Sequence, residues 1–213
     1  MQNQARLEAY ELTSALLIKR LERNGMDGFY CPTAEAAFEA AKRFLFPGCS
    51  VSWGGSVTLN EIGLLDYLRG SDYKLFDRST VKSEGELRKL YSETMLADVY
   101  YMSSNAITLK GELINIDGNG NRVGCLVSGP STVVVIAGMN KLVSTVEEGF
   151  NRTRNLVAPS NAHRLNYDTG CFYAGVCTEC LKDDCMCCQM VITRKSRQKG
   201  RIKVILVGEN LGY

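Results

Sequence analysis

The residues most suited to chemistry are cysteines, because six of the chain's nine lie between positions 171 and 188. Four of them follow the spacing C-x5-C-x2-C-x6-C, and the two-residue gap lets two sulfurs reach one centre. Four thiolates are the usual ligands of tetrahedral zinc or of a cubane iron–sulfur cluster. The spacing therefore predicts a zinc ion or a [4Fe-4S] cluster held by Cys171, Cys177, Cys180 and Cys187.

Two other interpretations of these thiols stay open. Cys177 and Cys180 have the gap of a thioredoxin-like pair, but their neighbours are further cysteines and acids rather than the start of a helix. Free or disulfide-paired thiols are the third interpretation. Cys185 and Cys188 are spare thiols beside the predicted ligands, so the choice of four is itself open.

A second chemical feature is the turn Gly54-Gly55-Ser56-Val57-Thr58, which links an apolar run to a predicted helix. Backbone N–H groups can converge at such a glycine turn, and the start of a helix carries partial positive charge. We expect Gly54, Gly55, Ser56 and Thr58 to bind a carboxylate or phosphate, with Glu61 as an acid or base. The alternative is a tight turn plus a helix cap.

Polar residues also follow several predicted strands. In open α/β sheets, ligands bind outside the carboxyl ends of the strands. A turn rich in Asn and Gly needs no ligand to explain it, and that alternative stays open. The expected further binding residues are Asn105, Asp117, Asn119, Asn121 and Lys141.

Neither dinucleotide nor nucleotide motifs are present. Gly118, Gly120 and Gly124 have the wrong spacing for a Rossmann fingerprint, and there is no Walker A sequence. We therefore predict neither an NAD site nor an ATP site.

The elements that must position these residues alternate between strands and helices. An amphipathic helix ends near Asn24-Gly25, and the strongest buried-strand signal is the run from Thr132 to Ala137. Such alternation predicts an α/β fold with a mainly parallel sheet and helices on both faces. Residues 155–200 lack this periodicity, so we expect one domain over residues 1–213 with a C-terminal cysteine-rich excursion.

Length and composition limit the classes of function. The 213 residues are 45% hydrophobic and 23% charged, with a formal net charge of +2. No apolar run approaches the roughly 20 residues of a membrane span, and no secretory leader is visible. We expect a cytoplasmic protein that binds neither nucleic acid nor membrane. The basic run near Arg194 is most simply a solvated loop.

Five stretches of the chain resemble the successive signatures of the LUD family, the lactate-utilisation family. The resemblance implies the fold shared by glucosamine-6-phosphate isomerases, ribose-5-phosphate isomerases and CoA transferases. In those proteins a similar glycine turn binds phosphate or acyl-CoA. The matching stretches are residues 54–64, 97–100, 105–108, 111–123 and 138–143.

Single-domain LUD proteins also end in a cysteine segment like this one. Two positions depart from that pattern, since Gly170 replaces a proline and Cys188 replaces an asparagine. His163 occupies a position where the family does not require histidine, so we interpret it as a bystander, with a general acid as the alternative. The matching positions are Asn161, Arg164, Cys171, Gly175, Cys177, Cys180 and Cys187.

The function implied by the resemblance is organic-acid utilisation of the lactate type. We expect the protein to bind a small carboxylate or phosphorylated metabolite and to support a redox step. The alternative is a non-catalytic assembly or electron-relay subunit, whose metal or iron–sulfur centre docks on an oxidoreductase partner.

Overall fold

A computed structural model describes residues 4–213. The helices are α1 (Gln4–Arg23), α2 (Ala34–Lys42), α3 (Val57–Glu61), α4 (Leu64–Arg69), α5 (Glu84–Met95), α6 (Asn121–Ser128), α7 (Val146–Arg152), α8 (Ala158–Leu165) and α9 (Gly170–Ala174). The strands are β1 (Asp27–Cys31), β2 (Ser50–Trp53), β3 (Lys74–Phe76), β4 (Val99–Met102), β5 (Ala106–Thr108), β6 (Leu113–Asp117), β7 (Thr132–Gly138), β8 (Leu142–Val143), β9 (Gln189–Thr193) and β10 (Ile202–Val207).

The main sheet has six parallel strands in the order β1-β10-β7-β4-β2-β3. Side chains along a strand alternate between its faces. Val134 and Ile136 of β7 pack in a core with α2, α3 and α4. Val133 and Val135 pack in a second core with α1 and α6. Burial on both faces explains the continuous apolar run of β7, and the predicted α/β fold with a mainly parallel sheet is confirmed.

A smaller sheet has the order β8-β5-β6-β9. Strand β9 pairs antiparallel with β6, from Leu113 opposite Thr193 to Asp117 opposite Gln189. Part of the cysteine-rich segment is therefore built into a sheet. This strand is hard to recognise from the sequence, because β9 has five residues with mostly exposed or half-exposed side chains.

The helix after the glycine turn differs from the sequence expectation. Leu59, Ile62, Leu65 and Leu68 have the spacing of one amphipathic helix, but the chain forms α3 and α4 with a break at Gly63. Gly63 has φ +74°, which glycine adopts without the cost that a Cβ would add. The interruption keeps α3 to five residues and turns α4 onto the sheet.

The three cysteines outside the clustered segment, Cys31, Cys49 and Cys125, lie in apolar stretches of the sequence and are buried in the structure. Within the part of the chain that the structure describes, no helix combines the length and apolar character needed to cross a bilayer.

Candidate functional site

A cleft of about 280 Å³ lies at the carboxyl ends of β2, β3, β4 and β7. From β2 the chain goes to β3 on one side and then crosses to β4 on the other. This reversal is the topological switch point where open α/β sheets bind ligands. We call this space the anion cleft; it is lined by Gly55–Thr58, Arg78, Ser103–Asn105, Ile116–Asn119, Asn121, Arg122, Lys141, Val157, Asn161, Arg164, Leu165, Tyr167, Met186, Gly212 and Tyr213.

Most of the predicted binding residues line this cleft. Gly54 lies just behind it, where a Cβ would come within 3.0 Å of the Arg122 side chain. Gly54 thus makes room for Arg122. The predicted residues on the lining are Gly55, Ser56, Thr58, Asn105, Asp117, Asn119, Asn121 and Lys141.

Glu61, the predicted acid or base, is exposed and does not line the cleft. Its Oε2 atom accepts a hydrogen bond of 2.6 Å from the backbone N–H of Gly212. Gly212 has φ +59°, and a Cβ there would lie 2.6 Å from the Thr58 hydroxyl. Glu61 therefore holds a segment that covers Thr58, and its predicted acid–base role stays a prediction.

Ser56 caps α3, since its hydroxyl accepts a hydrogen bond of 3.3 Å from the backbone N–H of Leu59. This is the helix-cap alternative drawn from the sequence. Helix α3 is only about one and a half turns long. The positive charge of the cleft therefore comes mainly from side chains rather than from the start of this helix.

Lys141 is the most buried cation of the cleft, with 5% of its surface exposed. A short 3-10 turn after β7, Met139–Lys141, aims the side chain inward. Its Nζ donates to the hydroxyls of Thr58 at 2.8 Å and Ser103 at 2.9 Å. Burial, with the positive charges of Arg152 and Arg122, lowers the pKa of Lys141 to about 7, although Glu61 acts in the opposite direction.

Arg122 is also buried and is fully engaged with protein groups. Its guanidinium donates to the carbonyls of Ser103 at 3.2 Å and Ile116 at 2.8 Å. It also donates to the Asn115 and Asn105 side chains and lies 3.5 Å from Asp117. Asp117 in turn accepts hydrogen bonds from the backbone at the start of α6. Asn105 and Asp117 thus position Arg122 at the cleft wall.

Two further cations on the lining, Arg78 and Arg164, were not among the predicted binding residues. Arg78 follows β3, so the same strand-end argument applied to β3 would have found it. Its exposed guanidinium makes no hydrogen bond or ion pair with any of residues 4–213. Arg164 lies on α8 and donates twice to Asn161. The cleft side chains therefore present four cations against one carboxylate, Asp117.

The cysteine segment forms the neighbouring surface. Cys187 is half-buried near Cys171, Cys177 and Cys185, and burial raises its pKa to about 12. A hydrogen bond from the Gly170 backbone lowers the pKa of Cys180. Met186, between two of these cysteines, lines the anion cleft. The segment is thus in contact with the candidate site.

The thiol-rich donor set suits zinc or an iron–sulfur cluster in its chemistry. Over the described residues, however, no three Cys, His, Asp or Glu side chains are arranged to hold a metal ion. The arrangement therefore does not fit a preformed centre, and the cofactor stays a prediction. His163 is exposed and stacks on Phe172, with the ring centroids 4.4 Å apart.

The fold and the cleft together define an α/β protein with a cationic site at the topological switch point of its main sheet. The family described as LUD domain matches residues 15–207, and the chain belongs to this family. A DUF162 family protein from Deinococcus radiodurans has a similar structure, with a TM-score of 0.53 and 13% sequence identity. That similarity covers 93% of this chain and 98% of the other.

Two more structural similarities are weaker. Ribose 5-phosphate isomerase from Plasmodium falciparum is 20% identical with a TM-score of 0.34, over 52% of each chain. The delta subunit of eIF2B from Chaetomium thermophilum is 17% identical with a TM-score of 0.38, over 55% of this chain and 50% of the other. No curated protein sequence matches the chain.

Proposed function

We propose that the anion cleft binds a small metabolite bearing a carboxylate or a phosphate. The observation that carries this proposal is the charge of the lining, where Arg78, Arg122, Lys141 and Arg164 face one carboxylate. A cleft lined mainly by one sign of charge concentrates ligands of the other sign.

The cations differ in how free they are to bind. Arg122 is held by protein acceptors, so it contributes charge and a rigid wall. Arg78 has no protein partner among residues 4–213 and is the guanidinium available for a two-pronged contact with a carboxylate or phosphate. Lys141 adds an ammonium in the deepest part of the cleft, between Thr58 and Ser103.

The test is titration calorimetry with lactate, acetate, inorganic phosphate and a sugar phosphate. Replacing Arg78 by Gln removes one charge-assisted contact and should weaken binding by roughly 10- to 100-fold. Arg88→Gln is the matched control, because Arg88 is exposed on α5 outside the cleft. Equal affinity in wild type and Arg78→Gln would contradict the assigned role, and failure of every anion to bind would overturn the proposal.

A more specific proposal is that this protein takes part in a redox step of organic-acid utilisation of the lactate type, and that it does so in the cytoplasm. Support comes from membership of the LUD family and from the contact between the cysteine segment and the cleft. The competing proposal is an assembly or relay subunit that acts only on an oxidoreductase partner. Lactate oxidation measured with an artificial electron acceptor separates the two proposals. A relay subunit alone should show no turnover. When its partner is added, the relay subunit should be necessary for lactate oxidation.

A further inference from the structure

A second cavity adjoins the anion cleft and has a different character. It has a volume of about 180 Å³ and lies between α5, α6 and the ends of β2, β3 and β4. We call it the apolar chamber, because apolar side chains make up much of its wall. These side chains belong to Trp53, Phe76, Leu90, Tyr91, Met95, Tyr100 and Cys125.

The two spaces share three residues, Arg78, Asn119 and Asn121. None of these side chains makes a hydrogen bond or ion pair with another of the described residues, 4–213. Polar groups therefore stand free at the junction, with charge on one side and apolar surface on the other. Ligand sites are commonly built this way, with apolar walls and a few polar groups that fix orientation.

Away from the three junction residues, the polar groups of the chamber wall have a hydrogen-bond partner in the protein or carry no charge. Ser52 donates to the Phe76 carbonyl at 2.8 Å and accepts from Thr94 at 3.2 Å. Burial raises the pKa of Tyr100, so its hydroxyl stays neutral at physiological pH. Apart from Arg78 at the junction, the described chamber wall therefore offers no charge to a ligand, and hydrocarbon is the chemistry that the chamber suits.

We propose that the ligand of this protein is an amphipathic organic acid. Its anionic group binds at Arg78 in the anion cleft, and its hydrocarbon part occupies the apolar chamber. This inference rests on the proposed function, because the anion site anchors the ligand. A dry apolar cavity of about 150 Å³ accommodates benzene, so the chamber suits roughly six carbons, as a chain or a ring.

The test is a chain-length series of acetate, butyrate, hexanoate and octanoate, titrated against the full chain. Each methylene that enters the chamber should tighten Kd by about fourfold. The gain should level off once the chamber is filled, at about six carbons. Binding of acetate with the same affinity as hexanoate would overturn the inference and leave the anion site intact. Failure of all four acids and of phosphate would overturn the proposed function as well.

A filling substitution tests the location. Gly124 on α6 lines the chamber, and a Cβ there would meet only the Met95 sulfur, at 4.0 Å. Gly124→Leu should abolish the chain-length dependence and leave acetate affinity unchanged, while Gly124→Ala should have a smaller effect. Gly85→Leu is the matched control, because a Cβ at exposed Gly85 meets nothing within 4 Å. Retention of the full chain-length dependence in Gly124→Leu would contradict this placement, as would equal weakening of acetate and hexanoate.

Discussion

At the scale of single residues, the cleft combines cations that are fixed with cations that are free. Lys141 is buried between two hydroxyls, and no carboxylate of residues 4–213 lies within ion-pair distance of it. A buried ammonium without a counter-ion loses its proton readily, and an arriving anion restores the missing charge partner. Ligand binding and protonation of Lys141 should therefore be linked.

This linkage predicts a pH dependence of anion binding. Because the pKa of Lys141 is about 7, the ammonium is charged below that pH and neutral above it. Sulfate keeps its charge across this range, and its affinity should fall roughly tenfold from about pH 6 to about pH 8.5. Calorimetric titration at several pH values measures this effect.

The control for this prediction is Lys141→Met, which should bind sulfate weakly and with little pH dependence. None of the described residues that line the cleft is a histidine or a cysteine, so Lys141 is the lining group that we expect to titrate near pH 7. An unchanged pH profile in Lys141→Met would assign the titration to another group.

At the scale of elements, Arg122 joins parts of the chain that belong to different sheets. It contacts the end of β4 through Ser103 and the strand β6 through Asn115 and Ile116. The sequence places Arg122 in a polar loop after a predicted strand, where its guanidinium could face a ligand or belong to a turn rich in Asn and Gly. Its burial could not be predicted, because α6 was not expected to begin at Asn121 and bring the arginine over the sheet.

Arg122→Met should therefore destabilise the protein. The substitution leaves several buried acceptors without a donor, and we expect a loss of about 3–5 kcal/mol in the free energy of unfolding. Urea unfolding with an unchanged m-value measures this loss. Arg88→Met on the exposed face of α5 should change stability by less than about 0.5 kcal/mol. Similar midpoints for the two variants would show that the Arg122 network contributes little.

Gly63 offers a second test at this scale. Nothing lies within 4 Å of a Cβ built at Gly63, so the cost of Gly63→Ala comes from its positive φ alone. We expect a destabilisation of roughly 1–2 kcal/mol. Gly85→Ala, in the first turn of α5, should instead be neutral or stabilising by up to about 1 kcal/mol. Equal shifts of the urea midpoint in Gly63→Ala and Gly85→Ala would contradict this reasoning.

At the scale of the whole molecule, the main sheet could be predicted from the sequence, because long apolar runs such as β7 and β10 need burial on both faces. The strand-end rule then placed most of the cleft residues. The sequence did not reveal that β9 joins the cysteine segment to the smaller sheet, since pairing between residues some 75 positions apart depends on the assembled fold. Arg78 follows the short edge strand β3, and the same strand-end rule applies to it.

The cysteine segment leads to the last prediction, which concerns metal content. Cys177, Cys180 and Cys185 are only partly buried, while Cys171 is held in α9. If these thiols bind zinc or an iron–sulfur cluster, they must converge further than the described arrangement shows, and binding would order the stretch before β9. Elemental analysis of anaerobically purified protein should then find zinc, or iron with sulfide.

The double variant Cys177→Ser/Cys180→Ser should lose this metal. Amide hydrogen exchange should increase between residues 166 and 188 and stay slow in β7 and β10, because the main sheet does not depend on the thiols. Strand β9 should keep its protection, since it is hydrogen-bonded to β6. Cys185→Ser is the matched control and should have a smaller effect. Full metal retention in the double variant would contradict the assignment, and equal losses in both variants would show that Cys185 is also a ligand.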